Sequence, residues 1–319
     1  MKNDDFREKP IKQINKGRVM LTIVIPIYNQ ADFLDEALNG ISNQIDTNFR
    51  LVISDNCSTD HIDEIINKYR YKLKIDYRKE SIFLSKALNW NRVMKYSLTK
   101  YTMLHHSDDI ISPTCVRDLN KYIKMFPKIS LFHGNFQRMH VSSGNLLRRK
   151  RMFPFEYVQK NDSNILDYVC SVSIVGQIFR TDKFNEIGGF DNTFQQAHDW
   201  DFFIKLLGVC DYMYIRKNLG YVRMGNSTAK IDHIANLEIL SILKRNKKFL
   251  AKTNLKRFAF GVYKFYEKNS IYKDEFDKEL GMYKITTNNR FFINLKKNYY
   301  QYIISLYINL KKLQFALFN

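Results

Sequence analysis

What this chain lacks narrows it before any motif is read. Its four cysteines, Cys57, Cys115, Cys170 and Cys210, are far apart and form no C-x-x-C pair, which argues against a zinc ribbon or a disulfide frame and for reduced thiols. Seven histidines show no metal-binding spacing. Met1 to Met20 contains no apolar stretch that could serve as a signal-peptide core, so a chain that stays in the cytoplasm is expected. No G-x-G-x-x-G follows the first apolar run and no G-x-x-x-x-G-K-[ST] occurs anywhere, which removes most of the case for dinucleotide oxidoreduction and for P-loop chemistry. There is no internal repeat and no Pro/Gly/Ser-rich linker. A division into a charged extension (1–20), a main domain (21–235) and a basic, aromatic-rich helical region (236–319) therefore rests on composition alone.

What is present is length enough for a full-sized core and a large positive excess. The 319 residues carry 51 Lys and Arg against 32 Asp and Glu, a net charge of +19. Residues 244–319 hold 17 basic and 5 acidic residues, so +12 of that excess lies in the last quarter. On charge alone an anionic partner is expected there, either nucleic acid or an anionic membrane surface.

Apolar runs and helical patterns alternate along the first half of the chain. Leu21–Ile25 is a β-branched run stopped by Pro26, and a helical pattern covers Ala31 to Ile41. Arg50–Ser54 reads as a second strand, with Asp60 and Asp63 spaced as a capping box for the helix after it. Lys72–Tyr77 reads as a strand, Ser85–Leu98 as a helix and Tyr101–His105 as a strand. Thr114–Met125, Ile129–His133, Ser173–Arg180, Thr181–Ile187 and Trp200–Leu207 continue the series as helix, strand, strand, helix and helix. Such alternation predicts an α/β fold whose central sheet is mostly parallel, with right-handed crossovers.

The last strand of the first half runs into Asp108-Asp109, followed by Ser112-Pro113, which has the chemistry of a helix start. Carboxylates at a strand's C-terminal end lie on the edge of an open α/β sheet where ligands bind. Two adjacent carboxylates repel, and a hard divalent cation, Mg²⁺ or Mn²⁺, relieves that repulsion while leaving sites open for phosphate oxygens. Asp55 ends a neighbouring strand and converges on the same edge.

Four stretches, in order, resemble the inverting glycosyltransferases of family 2, which have the GT-A fold. Ile25-Pro26-Ile27-Tyr28-Asn29 is similar to the family's opening strand and P-x-Y-N turn at the nucleotide pocket. Val52-Ile53-Ser54-Asp55-Asn56-Cys57-Ser58-Thr59-Asp60 resembles its V-V-D-D-G-S-T-D, in which the acid matched by Asp55 holds the base. Asn89-Trp90-Asn91-Arg92 with His106-Ser107-Asp108-Asp109 resembles a subgroup reading N-W-N-R and H-S-D-D. Gly188-Gly189-Phe190-Asp191 with His198-Asp199-Trp200-Asp201 resembles the acceptor-side G-G-F-D and E-D-x-D.

The resemblance implies a sugar transferase of hexosyl type. Its donor would be a nucleotide sugar, UDP-linked by family habit, and its acceptor a saccharide or lipid-linked saccharide of a bacterial surface polysaccharide or lipopolysaccharide. It implies Asp109, with Asp108, at the metal, and Pro26, Tyr28, Asn29, Asp55, Asn91, Arg92 and Asp108 around the donor. Gly189, Asp191 and Trp200 would face the acceptor. Asp199 would be the catalytic base, with Asp201 its rival.

The chain departs from the pattern at Ser107, at His198, and at Tyr221-Val222-Arg223-Met224, where the family's late Y-R-x-H has its histidine. Trp90 reads as core, and neither His105 nor His106 as a ligand. Two other classes compete: a metal-dependent phosphatase or nuclease, which has no use for Asp55 or the acids after Gly189, and a noncatalytic anion-binding protein. Nucleic acid is disfavoured because the basic excess lies in the tail. There Phe292, Leu295, Tyr299, Tyr302, Ile303, Leu306, Leu310 and Leu313 recur at helical spacing, and residues 290–319 hold five basic residues and no acid. The uncharged run Asn298–Leu310 is 13 residues, short of the ~20 that a spanning helix needs. This stripe is expected either to lie on the inner face of a membrane or to pack on the protein, on its own domain or on a second copy.

Overall fold

The structure, a computed structural model, describes residues 19–140, 146, 156–159, 174–224, 238, 241, 242 and 245. In chain order the elements are β1 (Leu21–Ile27), α1 (Ala31–Ser42), β2 (Arg50–Asp55), α2 (Ile62–Tyr69), β3 (Ile75–Lys79), α3 (Lys86–Met94), β4 (Tyr101–Leu104), β5 (Ile110–Ile111) and α4 (Cys115–Met125). There follow β6 (Leu131–His140), β7 (Tyr157–Gln159), β8 (Ile178–Arg180), α5 (Thr181–Glu186), α6 (His198–Leu207) and β9 (Tyr212–Met224).

The strands form one mixed sheet in the order β3-β2-β1-β4-β8-β6-β9-β5, with β7 on β9. As alternation predicts, β1, β2, β3 and β4 pair in parallel. Beyond β4 the sheet turns mixed: β8 is antiparallel to both β4 and β6, while β6 and β9 run parallel through a bulge near Asn135. β1 is buried on both faces, as a central parallel strand must be. Ile23 and Ile25 join the apolar cluster of α1, α2 and α4 on one face, and Val24 joins that of α3, α5 and α6 on the other.

Local details depart from the pattern for physical reasons. Pro26 does not stop β1 but lies inside it, opposite Ser54. The carbonyl of Val24 accepts from His105 N–H, so Val24 and Pro26 both turn toward β4, whose pairing with β1 ends at Val24–Leu104. The proline's missing N–H thus faces no strand partner. The capping box expected within α2 does not form: Asp60 accepts from Ala31 N–H at 2.8 Å and caps α1 instead. β6 is twice its expected length, and the 13-residue β9 is a strand that sequence periodicity misses. The N-terminal extension, Arg148–Arg151 and the C-terminal stripe lie outside the described residues, as does the proposed boundary at 235.

Candidate functional site

Because β1, β2 and β4 are parallel, their C-terminal ends open on one edge. Asp55 stands level with Ile27, and the Asp108-Asp109 turn follows β4 on the other side of β1. Asp55 is 1% exposed, and its two oxygens accept from Ser58 N–H at 2.8 Å and from Tyr77 Oη–H at 3.0 Å. Asn29, at φ 48°, laces the first loop to the second: its backbone N–H donates to Ser58 Oγ and its side-chain Oδ1 accepts from Thr59 N–H at 2.8 Å. Tyr28 stays 45% exposed, edge-on to Phe83 at 4.9 Å, so the rim of this pocket presents aromatic surface.

The structure uses two expected donor residues as clasps. Asn91 donates to the carbonyl of Phe190 at 2.8 Å and accepts from its N–H at 2.9 Å, joining α3 to the Gly188–Asp191 turn. Arg92 donates to Asn56, Asn89 and the carbonyl of Ile82, pinning the segment that closes the pocket. Gly189, at φ +69°, sits against this seam, where a Cβ would come within 2.7 Å of Asn91 Oδ1.

At the acid turn Asp109 is 5% exposed, and burial, with Asp108 adding to it, raises its carboxyl to about 8 against the pull of Arg223. Arg223 holds the turn from behind. Its backbone N–H donates to Asp109 Oδ1 at 3.2 Å, its Nε–H to the carbonyl of Asp108 at 2.8 Å, and its guanidinium pairs with Glu36. Ser107 donates to Gln30 at the mouth of α1. His106, not expected as a ligand, brings Nδ1 to 3.9 Å from Asp109 Oδ2, and its Nε2 is buried with no partner among the described residues. His106, Asp108 and Asp109 each offer a ligand atom, all within 4.8 Å of one another. A nitrogen and two carboxylates, one of them buried beside a like charge, suit Mn²⁺ or Mg²⁺.

Helix α6, whose His198 ring shares Trp90 with His106, carries Asp199 and Asp201 in its first turn. They point apart. Asp201, named as the rival base, is 0% exposed and paired with Lys205 at 2.5 Å, which presents no face of it to solvent. Asp199 is half-buried, and burial raises its pKa, opposed by Lys86 and by backbone N–H groups. Asp191 makes an Asx turn through Thr193; burial pushes its carboxyl up, but Thr193, Lys205 and Arg245 outweigh that and leave it lowered. Trp90 is core, as its pattern implies, with its ring 5.0 Å from His106 and 4.7 Å from His198. Trp200 is half-buried against the same apolar cluster.

Residues 22–183 match the model of the family described as Glycosyl transferase family 2. The chain belongs to this family. Among proteins similar to this glycosyltransferase is the abequosyltransferase RfbV of Salmonella typhimurium, 31% identical over 109 residues, a third of each chain. An uncharacterized glycosyltransferase of Rickettsia typhi is 22% identical over 271 residues, 80% of this chain and 82% of its own. The fold is that of Staphylococcus aureus TarS 1–349, at TM-score 0.65 and 18% identity, covering 83% of this glycosyltransferase and 80% of that chain. A phosphatase, a nuclease or a noncatalytic protein is thereby set aside.

Sequence reading missed Arg223, His106 and Lys86 at this site. Arg223 carried a faint signal, since it lies in the stretch Tyr221–Met224 set against the family's late element, one place after its arginine; Lys86 had none beyond standing one turn before Trp90.

Proposed function

We propose that this glycosyltransferase moves a sugar from a nucleotide diphosphate donor, UDP-linked, to a saccharide hydroxyl, with inversion and with a divalent metal bound. The observation that carries the reading is that the acid turn and the first turn of α6 meet at one ring: Trp90 lies 5.0 Å from His106, beside the buried Asp109, and 4.7 Å from His198, beside Asp199. Asp109, Asp108 and His106 would hold Mn²⁺ or Mg²⁺, which supplies positive charge to the leaving diphosphate.

The chain's own residues do the rest. The loops after β1 and β2, with Asp55 and the Tyr28–Phe83 rim, form the socket for the base. Asp199 takes the proton of the acceptor hydroxyl as that oxygen bonds to the anomeric carbon, and the bond from that carbon to the diphosphate oxygen breaks on the opposite face. One displacement turns an α-linked donor into a β-linked product. Burial helps, because a carboxylate whose pKa is raised is a stronger base. TarS has been solved with UDP-GlcNAc and with UDP, which supports a uridine nucleotide, and TarS and RfbV are named for the transfer of a sugar, which supports a sugar as the group moved.

The test is a panel of UDP-, GDP-, CDP- and dTDP-linked sugars scored for nucleotide release with Mn²⁺, Mg²⁺ or chelator, with the product's anomeric configuration read by NMR. UDP-sugar turnover lost in chelator is the expected result. Turnover indifferent to chelator removes the metal, and a retained configuration removes the single displacement.

Among the described residues no helix is long and apolar enough to cross a membrane. The cationic stripe of residues 290–319 supports a peripheral seat on the inner face of the cytoplasmic membrane. Sedimentation with anionic liposomes, weakened by salt and by truncation after Asn289, is expected. Binding that survives the truncation excludes that seat.

A further inference from the structure

The acceptor side is fastened by residues that come after the family's motifs end. The backbone N–H groups of Gln195, Gln196 and Ala197, the three residues leading into α6, converge on one carboxylate, that of Glu238, at 2.5, 2.8 and 2.9 Å. Those donors precede His198, the first helical residue, so a single anion meets three amides at the mouth of α6, the last of them that of its N-cap, Ala197. Four residues on, Ile242 is 0% exposed in the apolar cluster that also holds Phe202 and Ile204 of α6. Three further on, Arg245 donates to Asp191 at 2.9 Å and to Thr193 at 3.1 Å and lies 4.9 Å over the Phe194 ring. Residues 238, 242 and 245 have the spacing of one helical face. That face laces the segment 191–197 at three points, and the segment's next turn bears Asp199.

We infer that Glu238 is a positioning residue for transfer: by gathering the three amides it fixes the first turn of α6 and hence the direction of the Asp199 carboxylate. This rests on Asp199 as the base. Residues 238, 242 and 245 then belong to the acceptor side of the catalytic unit, across the boundary that composition places at 235. The donor socket, built from β1, β2 and the loops after them, has no contact with Glu238 among its hydrogen bonds. Losing Glu238 should therefore slow the chemical step and leave nucleotide binding alone.

The full chain is tested as Glu238→Ala, Glu238→Gln, Asp199→Asn and the Glu238→Ala/Asp199→Asn double variant, on the panel sugar that wild type turns over fastest. In Glu238→Ala, kcat should fall on the order of 10²-fold, the cost of a misplaced catalytic group. UDP affinity with Mn²⁺ should stay at wild type. Hydrogen exchange should rise at residues 195–199 and not in β1–β4. Glu238→Gln, which keeps an oxygen for the amides, should recover most of the rate, and the double variant should be no slower than Asp199→Asn. A wild-type kcat in Glu238→Ala while Asp199→Asn is inactive overturns the inference alone. Loss of UDP affinity in step with kcat, or a further loss in the double variant, also overturns it, because Glu238 then acts elsewhere. A wild-type rate in Asp199→Asn itself overturns the base assignment on which the inference rests.

Discussion

Asp55 ends β2 and Asp109 lies in the turn after β4, the two strands that flank β1, and the two acids are almost equally buried at 1% and 5% exposure. Their surroundings differ. Asp55 has a donor on each oxygen, Ser58 N–H and the Tyr77 hydroxyl, so its burial is compensated within the protein. Asp109 has one backbone donor at 3.2 Å, a second carboxylate beside it, and a carboxyl raised to about 8 by burial and that neighbour. The contrast separates a carboxylate satisfied by the scaffold from one that the scaffold leaves short of donors, as the proposed cation site would be. It teaches that, of two buried acids in a cleft, the one without enough donors is the better candidate for direct ligand chemistry.

The largest test of this contrast is at the under-satisfied acid. Asp109→Asn removes the like-charge repulsion and keeps the shape, so the metal-free protein should melt no lower than wild type, and higher near neutral pH. Metal-dependent turnover should fall by on the order of 10²–10³-fold, the scale of losing one main electrostatic contact to the leaving group. Calorimetry and turnover with Mn²⁺ read the two arms. A variant that melts well below wild type would show that Asp109 is scaffold like its neighbour.

The mirror experiment has a smaller effect of the opposite kind. Asp55→Ala strands the Ser58 N–H and the Tyr77 hydroxyl, and should lower stability by about 1–3 kcal/mol while weakening UDP binding. Tyr77→Phe removes one of the two donors and should give a fraction of that loss. If Asp55→Ala left stability unchanged, the loop would not depend on it, and the contrast between the acids would collapse.

How much of this was legible beforehand follows the range of the interactions. Strands β1 and β2 are announced by β-branched runs of the kind a doubly buried parallel strand requires, while β3, a half-exposed IDYRK, and β4, YTML, are read from their place in the alternation. β9 is not, because Arg216, Lys217, Asn218 and Arg223 interrupt any period along a strand that reaches the rim of the sheet. Asp60 looks like a cap for the helix beside it and instead caps α1, 29 residues earlier, a choice that only the loop packing makes. Asn91 and Arg92 were readable as cleft residues but not as clasps, since their partners Phe190 and Asn56 lie far along the chain. Asp199 and Asp201 differ by about 200° in direction on a helix, but Phe202, Phe203, Leu206 and Leu207 centre nearer Asp199, so the pattern would bury the wrong acid. Only the packing around α6 leaves Asp201 as the buried one.

The smallest effect concerns buried groups that no ligand completes. His198 is 1% exposed and His133 3%, and neither His198 ring nitrogen nor His133 Nδ1 shows a hydrogen-bond partner among the described residues. Burial lowers His133 to about 4, and burial, with Lys86 and His106 adding to it, lowers His198 to about 3. Their folded pKa values lie below the ordinary 6.5, so the stability they contribute is fully present above pH 6.5 and drains away as pH falls toward 4. Asp109 works the other way in the metal-free protein, since its raised carboxyl favours the folded state on acidification through the window between about 8 and 3.8. A single melting curve mixes the two, and a variant separates them. His198→Asn has no proton to gain, so its deficit against wild type should shrink as pH is lowered from 7 to 5, by at most about 1.4 kcal/mol per pH unit for one proton. Melting points of both proteins across that range read the slope, and parallel curves would mean that His198 takes up its proton as readily when folded as when unfolded.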